Sequence, residues 1–312
     1  MSSEVLSGAT PARLTAESGA RTRPLLALES ISLSFAGVRA VTEIGFEVAR
    51  GEICALIGPN GAGKSSLLNV VSGVYRPEAG SIVFDGQRRS HIDPAWAARQ
   101  GIARTFQNIA LFKGMSVEDN ILTGTTLTTR ASFLEHALSL PRARRDDRRQ
   151  RAEVAEVLAL IGLGEHRAAP VGKLPYGLQK RVELARALAA KPRLLLLDEP
   201  FAGMSASEKQ EMAELVLSVN TQLGTTILLI EHDMGLVMDL SDHVVVLDYG
   251  RKIADGAPDV VCRDAAVIDA YLGVDHGPGS VAASTRAAGS VASPSAGTAG
   301  PGAVPAANRA VA

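Results

Sequence analysis

Apolar and polar residues alternate over residues 31–35 and again over 44–48, the period-2 pattern of strands with one buried face. Further along, the pattern changes. Residues 52–57 form a compact apolar run that stops at a glycine-rich loop, 194–197 are all leucine, and Thr226–Ile230 and 244–248 are nearly as apolar. Helical spacing fills the gaps, at 67–72, 178–190, 207–223 and from Met234 onward. Apolar strands without alternation, separated by helices, predict a mostly parallel sheet covered on both faces. The early alternating strands, with a further strand at 81–84 between turns at 76–80 and Asp85-Gly86, predict an antiparallel patch at one side. Residues from about 108 to 172 are helical in pattern. The fold class read from this is α/β.

Both ends lack such patterning. Residues 1–24 are polar and rich in Ala, Ser, Thr and Arg, and are expected to be flexible. Residues 274–312 are almost all Ala, Gly, Ser, Pro and Val; with no periodic apolar face they cannot repay the entropy of ordering and are expected to be disordered. The patterned region, 25–273, is long enough to bury about three quarters of its unfolded surface without disulfides or metals. It contains no internal repeat.

Charge and composition exclude several classes. Of 312 residues 46% are hydrophobic and 21% charged, with a net charge of -1, which argues against wholesale nucleic-acid binding. The two cysteines, Cys54 and Cys262, make neither a disulfide framework nor a zinc spacing, and suit a reducing cytoplasm. No run approaches about 18 consecutive apolar residues, so no membrane-spanning helix is predicted. Glu4 and Glu17, with no apolar segment beside them, do not make a secretory signal. Any work at a membrane is expected to depend on partners. The arginine-rich stretch 142–151 reads as a solvated helix face; Asp146 and Asp147 weaken the rival reading of lipid-headgroup contact.

The chemistry begins at Gly58-Pro59-Asn60-Gly61-Ala62-Gly63-Lys64-Ser65, followed by Ser66, which fits the phosphate-loop pattern G-x4-G-K-[ST]. Glycines let successive N–H groups turn toward one anion, and the helix that follows points its positive end at the phosphates. Lys64 reaches the β- and γ-phosphates and Ser65 ligates Mg²⁺ in such a loop. The second half is Leu194-Leu195-Leu196-Leu197-Asp198-Glu199-Pro200: a buried strand delivers two carboxylates to its C-terminal edge, where open α/β sheets bind ligands. Asp198 suits Mg²⁺ through water, and Glu199 is placed to orient or deprotonate an attacking water. The strand at 226–230 leads into Glu231-His232-Asp233, so His232 is a candidate γ-phosphate contact.

With these motifs in this order, the chain resembles the ABC ATPase superfamily of phosphate-loop NTPases, because Leu174-Pro175-Tyr176-Gly177-Leu178-Gln179 resembles that family's signature, L-S-[GY]-G-x-Q. The resemblance covers about 25–273. It implies a mostly parallel sheet with an antiparallel patch and a helical subdomain at about 108–178. It implies ATP and Mg²⁺ as cofactors, and Gln107 as a glutamine that contacts Mg²⁺ and the lytic water. It makes His232 a switch histidine, and Pro175, Tyr176, Gly177 and Gln179 a signature that acts in trans on a second ATPase subunit, identical or homologous. Phe35 resembles the aromatic that stacks on adenine, with a core phenylalanine as the competing reading. Two departures stand out: Pro175 replaces the usual Ser, and Ser205 stands where many members carry an Asp.

Residues 101–112, Ile230-Glu231-His232-Asp233-Met234 and Ala270-Tyr271-Leu272-Gly273 are similar to the LivG-type ATPases of branched-chain amino acid importers. That resemblance implies ATP hydrolysis coupled to transport, at the cytoplasmic face of the cell membrane as a peripheral subunit. The implied partners are permease subunits, a second ATPase subunit and, indirectly, a substrate-binding protein, with no nucleic acid. Rival readings are the same motor for amides, urea or other hydrophobic amino acids, a soluble non-transport ABC ATPase, and a scaffold that binds ATP without hydrolysis. The single cassette argues against the second, and Glu199 with His232 against the third.

Overall fold

The computed structural model describes residues 23–107, 109–129, 132, 135, 138 and 140–272. The expectations for 274–312 and for nearly all of 1–24 lie outside the described residues. In chain order the elements are β1 (Leu26–Phe35), β2 (Val38–Val48), β3 (Ile53–Ile57), α1 (Lys64–Val71), β4 (Ala79–Phe84), β5 (Gln87–Arg89), α2 (Pro94–Arg99), β6 (Ile102–Arg104), α3 (Val117–Leu122), α4 (Pro141–Leu160) and α5 (Tyr176–Leu188). Then come β7 (Leu194–Asp198), α6 (Ala206–Leu223), β8 (Thr226–Ile230), α7 (Met234–Leu240), β9 (His243–Asp248), β10 (Arg251–Gly256), α8 (Pro258–Val261) and α9 (Ala265–Leu272).

Among the described residues the strands form two sheets. One is antiparallel, in the order β2-β1-β4-β5; the other runs β10-β9-β3-β8-β7-β6, parallel except for β10. Every residue of β3, β7 and β8 is buried, which is why their sequences show no alternation. The faces still sort by parity. Ile53, Ala55 and Ile57 of β3, Leu195 and Leu197 of β7, and Ile227 and Leu229 of β8 face a core built with α5 and α6. Cys54, Leu56, Leu194, Leu196, Leu228 and Ile230 face a second core built with the antiparallel sheet and α1. Burial of each leucine or isoleucine among them contributes about 1.5–3 kcal/mol, and a one-residue slip of any strand would exchange its two packing faces.

Several elements exceed or escape the sequence pattern. Helix α1 begins at Lys64, earlier than the apolar spacing at 67–72, because its first turn belongs to the phosphate loop. Strand β6 is three residues long, too short to show a period, and exists through its pairing with β7. Helix α2 is set by chemistry at its start: Asp93 accepts from the N–H of Trp96 at 2.8 Å, and Pro94 opens the helix. In α4 the arginine run is a solvated face at Arg142, Arg144, Arg145, Arg148 and Arg151, while Asp146 is buried and pairs with Arg149 at 3.0 Å. No helix among the described residues is long and apolar enough to cross a membrane.

At the opposite edge of the parallel sheet from the phosphate loop, His243 at the start of β9 sits between Asp255, 2.5 Å from Nε2, and Glu52, 3.3 Å from Nδ1. Burial opposes the imidazolium, but hydrogen bonds to Asp255, Cys54 and Glu52 outweigh it and push the pKa up to about 12. The folded chain therefore retains a proton that the unfolded chain releases above about 6.5. This stabilisation is complete below pH about 6.5 and is lost progressively as pH rises toward about 12. The melting-temperature gap between the native chain and His243→Gln should be wide at about pH 6 and narrower at about pH 9. A gap that stays constant between those values would refute the linkage.

Candidate active site

Four neighbouring strands, β3, β8, β7 and β6, end at one edge of the parallel sheet. Just past their C-terminal ends lie Gly58, His232, Glu199 and Gln107, in that spatial order. The sheet thus assembles residues separated by up to 174 positions (232 − 58). This is the edge at which parallel α/β sheets bind ligands.

The loop from Gly58 to Ser66 connects β3 to α1. Gly58 has φ 143°, and a Cβ there would collide with the carbonyl of Leu247; Gly63 has φ 97°, and a Cβ there would strike the carbonyl of Ala40. Only glycine meets both demands. The N–H of Ala62 bonds the Pro59 carbonyl at 3.2 Å, and the Ala62 carbonyl accepts from Gly250 at 3.1 Å, so the β9–β10 turn braces the loop from outside. Asn60, Gly61 and Ser65 are exposed, Pro59, Gly63 and Ser66 are half-buried, and Ala62 is buried. Lys64 is buried at 7% exposure, and its ammonium donates to the carbonyls of Gly58 and Pro59 at 2.7 and 2.9 Å. Burial lowers its pKa, opposed by the carboxylates of Glu199 and Asp198.

Asp198 closes β7 at 4% exposure. Its Oδ2 is held by Arg104, while Oδ1 is buried with no hydrogen-bond partner. An orphaned buried carboxylate oxygen beside a phosphate loop is an acceptor fitted to a hydrated cation, so the donor set suits Mg²⁺. Glu199 follows with φ 49°, a left-handed conformation that is strained for a non-glycine residue. That turn brings its carboxylate to Gln107, whose Nε2 donates to Oε2 at 2.9 Å.

His232 is less engaged. Its imidazole is 62% exposed, and its recorded partner is Glu231, 3.9 Å from Nδ1. Glu231 itself is buried at 1%, accepting from the N–H groups of Phe201 and His232; burial raises its pKa. Phe35 ends β1 in the other sheet, near the hairpin tip, 43% exposed, with its ring 5.1 Å from that of Tyr75 in an edge-on arrangement. Tyr75 follows α1, so Phe35 is tied to the far end of that helix rather than to the loop itself.

Pro175, Tyr176, Gly177 and Gln179 form the start of α5. Pro175 is its N-cap and supplies no side-chain hydrogen bond; Gln179 turns back to the Leu174 carbonyl at 2.8 Å. Gly177 lies so close to the Glu208 carboxylate that a Cβ would collide with it, and Glu208 in turn forms a capping box with Ser205 at the start of α6. No hydrogen bond among the described residues joins residues 175–179 to 58–66 of the same chain.

Other supports of the site emerge in the fold. Lys180 donates to the Gln107 carbonyl at 3.3 Å and Glu183 accepts from the Phe106 N–H at 3.1 Å, so buried side chains of α5 hold the backbone that carries Gln107. In α9, burial pushes the Tyr271 pKa up, opposed by the Gly58 backbone nearby. Their advance signals were helical spacing from the signature in the first case and the Ala270-Tyr271-Leu272-Gly273 resemblance in the second.

Residues 41–202 match the ABC transporter family, and residues 251–277 match the family described as branched-chain amino acid ATP-binding cassette transporter. The high-affinity branched-chain amino acid transport ATP-binding protein BraF of Pseudomonas aeruginosa is 38% identical over 251 residues, covering 80% of this chain and 98% of its own length. LivG of Escherichia coli K12, described in the same terms, has the same identity and coverage. Among solved structures, the ADP conformation of an ATP-binding cassette of an ABC transporter superposes with a TM-score of 0.70 at 29% identity, covering 81% of this chain and all of that one.

A charge-assisted contact from the Lys64 ammonium to a phosphate is worth about 1.5–3 kcal/mol. A folded Lys64→Ala variant should bind a fluorescent ATP analogue about tenfold to a hundredfold more weakly. Undiminished binding would remove the loop from the site.

Proposed function

The chain belongs to the ABC transporter ATP-binding family, and on that footing we propose that it hydrolyses ATP to power uptake of branched-chain amino acids through permease subunits. The observation that carries the hydrolytic part is the Gln107–Glu199 hydrogen bond, which joins the residues flanking β6 and β7 at the phosphate-loop edge. The cargo rests on the similarity to BraF and LivG, branched-chain amino acid transport ATP-binding proteins, and on the match at 251–277.

ATP seats its phosphates on the N–H groups of residues 58–66 and the Lys64 ammonium, which turns from its own loop carbonyls to the phosphate oxygens. Phe35, steadied by Tyr75, offers its exposed ring to the base. Mg²⁺, when bound, neutralises charge on the β- and γ-oxygens; Ser65, Asp198 and Gln107 are the residues that would hold it or its waters. Glu199, held through Oε2 by Gln107, accepts the proton of the attacking water, and His232, exposed and free to reorient, contacts the transferred phosphoryl.

The absence of a signature contact to the loop within one chain fits a head-to-tail pair, in which Pro175, Tyr176, Gly177 and Gln179 face the nucleotide of a second ATPase subunit. Pro175 has no hydroxyl to give, so the first N–H groups of α5 bind the γ-phosphate in its place. Permease helices dock in a groove of about 420 Å³ between the sheet side and the helical side, lined by Val74, Ala98, Arg104, Phe106, Thr123 and Arg186. In this reading the ATPase domain is 25–273 with a helical subdomain at about 108–178. The chain sits peripherally on the cytoplasmic face of the membrane, and a substrate-binding protein delivers cargo from the other side.

Cells carrying the Glu199→Gln form in place of the native gene should lose uptake of labelled leucine at equal protein levels. The purified variant should bind ATP but turn it over at least about a hundredfold more slowly. Lost hydrolysis with leucine uptake intact would assign the motor to another cargo, and hydrolysis near the native rate would remove Glu199 from its role.

A further inference from the structure

We infer that Arg104 is a positioning residue for the metal-ordering carboxylate Asp198, and that it does this by clamping β7 to the phosphate-loop helix. The inference rests on the reading of 58–66 and Asp198 as a nucleotide and metal site.

Arg104 is the last residue of β6, in parallel register with Leu196, two residues before Asp198 on the neighbouring strand. Its side chain reaches along β7. Nη2 bonds Asp198 Oδ2 at 2.8 Å, with the two side chains 9% and 6% exposed. Nη1 bonds Asn69 Oδ1 at 2.5 Å and Ser72 Oγ at 3.1 Å, both at the C-terminal end of α1. The ring of Phe106 lies 5.3 Å from the guanidinium carbon. One planar group therefore fastens three motifs: the helix of the phosphate loop, the strand of Asp198, and the stem of the segment carrying Gln107.

The division of labour on the carboxylate is what points to positioning. Oδ2 accepts from Arg104, while Oδ1 is buried and unpartnered. A free aspartate at this place could rotate or swing toward the Lys64 ammonium, whose pKa already registers its field. The clamp leaves one oxygen available in one direction. A buried ion pair is not by itself a source of stability, since packed apolar groups of equal volume would do as well. The Arg104 Nε is buried without a hydrogen-bond partner, so the side chain's hydrogen bonds all come from its two terminal nitrogens. Partners that orient metal-ordering groups from behind typically matter about 10–100-fold in metal affinity or activity.

Sign separates this role from simple charge balance. Deleting a cation beside the site would, through charge alone, tighten a divalent metal. Loosened orientation does the reverse. The test uses the full chain in excess over ADP, titrated with Mn²⁺ and followed by loss of the free-ion electron paramagnetic resonance signal after subtraction of the signal lost to ADP alone, alongside ADP affinity in EDTA and the melting temperature. Arg104→Gln should raise half-saturating Mn²⁺ about tenfold or more with ADP affinity in EDTA unchanged. Arg104→Lys, which keeps the charge but cannot span Asn69, Ser72 and Asp198 together, should fall between. If Arg104→Gln does not fold, Asn69→Ala decides, by shifting Mn²⁺ in the same direction to a smaller degree. Unchanged or tighter Mn²⁺ binding in a folded Arg104→Gln, or in Asn69→Ala where that variant decides, overturns the inference. Failure of the underlying reading looks different: the native chain would then take up Mn²⁺ equally with and without ADP.

Discussion

Parallel pairing of strands buried on both faces is the constraint from which the rest of this molecule follows. A strand with solvent on one side tolerates polar residues at every second position; β3, β7 and β8 have no such side and are apolar throughout. Parallel pairing also makes all their C-terminal ends meet at one edge. Loops leaving that edge converge whatever their distance in sequence, so Lys64, Gln107, Glu199 and His232 need no contacts of their own to be neighbours. The hydrogen bond of Gln107 to Glu199 refines an encounter that the backbone has already arranged.

The helical side is fastened to that edge at few points. Glu183 and Lys180 of α5 hold the backbone at Phe106 and Gln107 through hydrogen bonds sheltered from water. Burial raises the Glu183 pKa despite the Phe106 N–H and the nearby Lys180, so the contact is made against a desolvation cost. The start of the same helix abuts Glu208 through Gly177. A shift of α5 is therefore felt both at the residue beside Glu199 and at the cap of α6. Motion imposed from a groove next to Phe106 has a short path to Gln107 and Glu199.

Much of this was legible in the sequence, and the reasons differ by element. The phosphate loop was readable because its glycines answer to backbone geometry that no other residue satisfies, as the Leu247 and Ala40 carbonyls show. Strand β8 was readable to the residue because a five-residue apolar run between turns admits little else. Strand β6 was not, since three residues carry no period and its place depends on β7, 92 positions later (194 − 102). Arg104 escaped for the same reason: beside Thr105 and Phe106 it reads as one more surface arginine, and its burial is a tertiary fact. The helical spacing of α4 correctly indicated a solvated arginine face but could not reveal that Asp146 turns inward.

The left-handed backbone at Glu199 sets folding and chemistry against each other at one residue. Glycine adopts that conformation without penalty, and asparagine with little. A chain chosen only for how well it folds would favour glycine at position 199. On the proposed role of Glu199 as acceptor of the water proton, the strained angle is a local folding cost kept at the one place where the carboxylate is needed.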